Sequence, residues 1–113
     1  MTQYIVYFNQ QWAGDHSEEW FISRGPLAKA VVAEMKDAGV YVFAGGLDED
    51  VDRVFSADAT SGTLLISDGP YVAGKESLGG LTIIDVADVG VAKMWAGKLA
   101  EACGWPQEVR RIG

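Results

Sequence analysis

The chain has 113 residues, 49% hydrophobic and 22% charged, which is the balance of a folded domain rather than a disordered segment. Sixteen Asp and Glu against nine Lys and Arg leave a net charge of −7, which argues against direct nucleic-acid binding because such proteins carry a basic footprint. The single cysteine, Cys103, excludes an internal disulfide and fits a reducing compartment.

Residues 1–113 read as one domain. Gln3 to Phe8 is aromatic and β-branched, the composition of a strand. Tyr4, Val6 and Phe8 alternate with Ile5 and Tyr7, so both faces are apolar and both expect cover. The preceding residues lack the basic region of a signal peptide. No apolar run approaches the ~20 residues of a membrane span. A cytoplasmic location is therefore expected, with no membrane partner. Asp15-His16-Ser17-Glu18 has the form of a capping box and predicts a short helix through Trp20, Phe21 and Ile22. Gly25-Pro26 then predicts a break, with Pro26 in the first turn of a second helix. Leu27, Val31, Met35 and Ala38 form its buried stripe. Gly39 takes the left-handed position at its end.

Val40 to Ala44 predicts a second strand, ending at Gly45-Gly46, and an acidic loop follows from Leu47 to Asp52. Arg53 to Ala57 and Thr63 to Ser67 predict a hairpin around a glycine-containing loop. Asp68-Gly69-Pro70-Tyr71 is a tight turn, and Lys75 and Glu76 lie on the polar loop after it. Gly79-Gly80 leads into the apolar strand Leu81 to Val86. Asp88 is placed to cap a helix running to Cys103, whose buried face is Ala92, Trp95, Leu99 and Cys103. Gly104 ends that helix, and Gln107 to Ile112 predicts the last strand. The order describes an α+β chain on the ferredoxin-like βαββαβ plan with an extra hairpin. Two helices cover one face of such a sheet. A second copy of the chain is the simplest cover for the other face.

The run DGPYVAGKESLGGLTIIDV resembles the signature of the DGPF group of the YCII-related family, with Tyr71 in place of the usual Phe. Lys75-Glu76, Gly79-Gly80 and Asp85 follow in the group's order. Ala38-Gly39-Val40, Gly45-Gly46-Leu47, Trp95 and Glu108-Val109-Arg110 match the flanks, so the resemblance covers nearly the whole chain. It implies a dimeric α/β barrel of ferredoxin-like protomers. Some YCII members carry a His–Asp pair proposed to act as acid and base on small organic substrates. Gene context links DGPF members to alternative sigma factors, which implies a regulatory alternative with a protein partner.

Several residues are candidates for chemistry, each beside a structural reading. Asp68 is a general base in a cleft by the turn, or it locks the turn through backbone amides. Tyr71 offers a hydroxyl to a ligand, or packs as the family's Phe does. Lys75 holds a small organic anion, with Glu76 beside it, or both are solvated. Gly79 and Gly80 admit a ligand to the backbone, or mark a bulge or the entry of a strand. Tyr7, with Tyr4, Trp12 and Trp20, lines a ligand pocket, or packs in the core or at a dimer contact. His16, the sole histidine, is an acid/base group or part of an exposed capping segment. It does not align securely with the YCII histidine, and that His–Asp pair is not carried over. Cys103 is expected to be a buried, inert thiol. One His and one Cys cannot supply a zinc set, so no metal and no cofactor are expected. Two functions follow: a homodimer with a small-molecule site and acid/base chemistry, or a non-catalytic interaction module.

Overall fold

The computed structural model describes residues 1–113. Strand β1 (Thr2–Asn9) leads through a 3₁₀ turn (Gln10–Ala13) into helix α1 (Glu18–Asp37) and strand β2 (Tyr41–Gly46). A second 3₁₀ turn (Val51–Arg53) precedes the hairpin strands β3 (Phe55–Asp58) and β4 (Leu65–Asp68). Strand β5 (Leu78–Val86), helix α2 (Val89–Cys103) and strand β6 (Glu108–Arg111) complete the chain. The main sheet has the order β2-β5-β1-β6 with every neighbouring pair antiparallel. The architecture is α+β and compatible with a ferredoxin-like plan, with β3 and β4 inserted as a separate two-stranded sheet.

Both helices pack on one face of the sheet. Val6, Ile84 and Val86 from the strands meet Val31 and Met35 of α1 and Ala92, Trp95 and Leu99 of α2. The buried face of α2 is the expected one, with Cys103 as its last member. Asp88 caps it by accepting from the Val91 N–H at 3.0 Å. Gly104 ends it at φ +85°. Gly39, at φ +73°, likewise closes α1.

Helix α1 departs from expectation. It is one helix of 20 residues with Pro26 inside it, not two helices broken at Gly25-Pro26. Proline deprives the Ile22 carbonyl of its helical partner. Ile22 and Pro26 both lie on the exposed side of the helix, so water can take that role. The cap is Ser17, whose hydroxyl accepts from the Trp20 N–H at 3.1 Å, rather than Asp15. His16 stacks flat on the Trp20 ring at 3.6 Å, which holds residue 16 outside the first turn. Val31 and Met35 are buried, but Leu27 is 49% exposed and Ala38 is also on the surface. Gly45 and Gly46 continue strand β2 instead of ending it.

The opposite face of the sheet carries Ile5, Tyr7 and Ile83, all half-buried, with Phe43 51% exposed. The β3–β4 hairpin is an arm. Phe55 is 70% and Ile66 61% exposed, and they share a face of the hairpin through the Phe55–Asp68 and Ala57–Ile66 pairs. The radius of gyration is 16.2 Å, against about 13 Å for a compact domain of 100 residues. No helix is long and apolar enough to cross a membrane.

Candidate functional site

The residues singled out in the sequence do not converge. Asp68 ends β4 on the exposed arm, and Tyr71 and Lys75 follow in the exposed connection to β5. The turn after Asp68 is held by other groups. The Gly69 N–H donates to the Val54 carbonyl at 2.7 Å, and the Ser56 hydroxyl donates to the Gly69 carbonyl at 2.6 Å. Gly69 has φ +88°, the left-handed value that the turn needs. Glu76 ties its loop to the start of the chain. It accepts from Asn9 Nδ2 at 2.9 Å and from Trp12 Nε1 at 3.3 Å. Tyr7 donates its hydroxyl to Glu108 across the uncovered face, a bond that raises the phenol's pKa above its ordinary value. In the acidic loop, Asp48 accepts from the Asp50 N–H and pairs with Arg53 at 2.7 Å, and both interactions lower its pKa.

Gly79 and Gly80 are buried at the entry of β5, and Gly79 is the extra residue of the expected bulge, since Phe8 pairs with Gly80 and Asn9 with Leu78. A Cβ on Gly80 would lie 2.9 Å from Cε1 of Phe8, and one on Gly79 would lie 2.6 Å from Cε2. The two glycines make room for the Phe8 ring, beside the register shift at Phe8/Asn9 where β1 pairs with β5. That ring packs on Trp105 at 5.1 Å between centroids. Trp105 in turn meets Trp20 and Phe21 at 6.1 and 6.2 Å. His16 sits on this aromatic group through Trp20 and Phe21.

The aromatic group forms part of the wall of a cavity of about 680 Å³, within the range of small-molecule sites. It lies between α1, the end of α2 and the helix-covered face of the sheet, and its walls include Val6, Phe8, Phe21, Val32, Thr82 and Leu99. Along α1 the lining residues recur at helical spacing: Phe21, Arg24 and Gly25, Ala28 and Lys29, Val32 and Ala33, then Lys36. Gly25, Ala28 and Ala33 are small, so the side chains along this stripe leave the space beside them unfilled.

Two donors in this wall have nothing to donate to. Arg24 Nε and Trp105 Nε1 are buried without a hydrogen-bond partner. A donor left unmade in this way costs about 1–3 kcal/mol, more when charged. The Arg24 guanidinium lies 4.6 Å above the Trp20 ring, which supports it as a cation over an aromatic face. Cys103 also lines the cavity. Burial pushes its thiol above the ordinary pKa, against an opposing pull from Arg24. The buried thiol was legible from the α2 pattern. Arg24, Lys29, Lys36 and Trp105 were not, because reading a break at Pro26 divided the stripe that aligns Phe21 with Arg24, Ala28 and Val32.

No known family model matches the chain, and no curated protein matches it. The geometry therefore carries the functional argument. Asp68, Tyr71, Lys75, Glu76 and His16 lie outside the cavity wall, and Phe8, Arg24, Cys103 and Trp105 lie in it. The structure brings no three His, Cys, Asp or Glu side chains together.

Proposed function

We propose that the protein is a homodimeric small-molecule-binding protein whose ligand occupies the cavity between α1 and the sheet. The observation that carries this reading is a cavity of small-molecule size whose mostly apolar wall carries three cations, Arg24, Lys29 and Lys36, and no carboxylate. The reading is one of binding. The ionisable groups in the wall are Arg24, Lys29, Lys36, Tyr41 and Cys103, and an acid/base role for Asp68 would need the arm to reach another site. A thermal-shift screen of small organic molecules tests it, because a ligand of the native state raises stability. Hits should shift the wild type and fail to shift Ala28→Trp, which fills the cavity. Equal shifts in both would remove the cavity from the account.

Dimerisation through the uncovered sheet face belongs to the same proposal, as the dimeric α/β barrel of the YCII-related DGPF group would have it. Ile5, Tyr7, Phe43 and Ile83 supply the apolar surface. Asp85, whose Oδ1 is buried without a partner, sits opposite Gln3, and Arg110 sits opposite Ile5. A two-fold copy would present these residues back to one another. Ile83→Asp should abolish the dimer in sedimentation velocity, and a wild-type monomer at micromolar concentration would end this part of the proposal. The arm favours a second reading, an interaction module for another protein, such as the sigma factor that the resemblance implies. A two-stranded hairpin is marginal in water on its own, and Phe55, Ile66, Tyr71 and Val72 lie exposed on it or just beyond it.

A further inference from the structure

The charged residues that line the cavity are all cations. Arg24, Lys29 and Lys36 stand there without a carboxylate, in a chain whose net charge is −7. None of the three joins an ion pair; those in the protein use Arg53 and Lys98. All three come from α1, with Lys29 and Lys36 on one edge of its lining face, two turns apart, and Arg24 on the other edge. They differ in depth. Lys29 and Lys36 are exposed at the rim, and Lys36 Nζ lies 4.8 Å from the Tyr41 ring centroid. Arg24 is half-buried, with Nε fully enclosed and facing no acceptor.

Arg24 Nε and Trp105 Nε1 are covered by protein atoms, so a ligand in the cavity meets Arg24 through its terminal guanidinium nitrogens, which are not enclosed. A single carboxylate has the planar oxygens that match a guanidinium edge. The remaining wall, including Phe8, Phe21, Val32 and Leu99, suits a flat apolar body.

Resting on the cavity reading above, we propose that the ligand class is an organic carboxylate with an aromatic or similarly apolar body. Its carboxylate accepts from the terminal guanidinium nitrogens of Arg24, and Lys29 and Lys36 draw anions to the entrance. Two isosteric probes separate the charge from the body: naphthalene-2-carboxylate and naphthalene-2-carboxamide, titrated calorimetrically into the wild-type protein. The carboxylate should bind about tenfold tighter or more, as expected when a hydrogen-bonded charge is added. Its binding should also shift the Trp105 indole N–H resonance, identified by its loss in Trp105→Phe, because that ring lies in the cavity wall. Arg24→Gln should remove most of the preference. Equal affinity of the two probes for wild type would overturn the carboxylate assignment while the cavity reading stands, and this comparison needs no variant. A preference that survives Arg24→Gln would overturn it too. Binding of neither probe would overturn the cavity reading and this inference with it.

Discussion

Replacing Gly80 with alanine tests how the cavity wall is built. The added Cβ would lie 2.9 Å from Cε1 and 3.0 Å from Cζ of Phe8, and 3.2 Å from the Gly45 carbonyl oxygen. The ring cannot retreat freely, because it packs on Trp105 at 5.1 Å. Overpacking of this kind costs about 1–3 kcal/mol. Alanine recovers about 0.4–1 kcal/mol by restricting the unfolded chain. The net loss is then about 1–2 kcal/mol, a fall of about 0.5–1 M in the urea midpoint for a slope near 2 kcal/mol/M. Midpoints should be compared at one protein concentration, since association would shift them. Phe8→Leu removes both ring atoms that the new Cβ meets. In that background the Gly80→Ala penalty should fall by about 1 kcal/mol, a coupling typical of residues in contact. An additive double mutant, or a neutral Gly80→Ala, would refute the claim that these glycines exist to seat the ring.

Three further outcomes follow from particular contacts. Ser17→Ala and Asp88→Ala each remove a helix cap and should cost about 1 kcal/mol in urea unfolding. Asp68→Asn should change stability by less than about 0.5 kcal/mol, as surface substitutions do, and should leave probe affinity unaltered; a large loss of affinity would return the site to the arm. Burial raises the Cys103 pKa above its ordinary value, so folding favours the neutral thiol. That contribution is fully present below the unfolded thiol's pKa and is lost as pH rises through the higher folded value. Unfolding midpoints should therefore fall on the alkaline side, and Cys103→Ala should flatten that slope, with a slope unchanged by the substitution as the contrary result.

Local signals carried much of the fold. Strand β1 is aromatic and β-branched throughout, helix α2 has apolar residues at helical spacing, and Asp88, Gly39 and Gly104 act through backbone chemistry that a short window contains. Helix α1 was misdivided because a rule for Pro26 was applied without knowing that the Ile22 carbonyl faces solvent. Asp15 was taken as the cap because the stacking of His16 on Trp20 is not visible in the residue order. The candidate site was less legible still. Asp68, Tyr71 and Lys75 stand together in the sequence, and the fold sets them on an exposed arm and its following loop. Arg24 and Trp105 are separated by most of the chain, and only the packing of α1 beside the segment after α2 brings them to one wall. Gly79-Gly80 was noticeable as a pair, but its purpose depends on Phe8, which lies across the sheet.

The most direct test of the cavity as the binding site is backbone amide shift mapping with naphthalene-2-carboxylate on the assigned wild-type protein. The largest changes should fall along Phe21 to Lys36 and around Cys103 to Gln107, with the Asp68 to Glu76 segment nearly silent. Changes concentrated in Asp68 to Glu76, with α1 unmoved, would contradict the account.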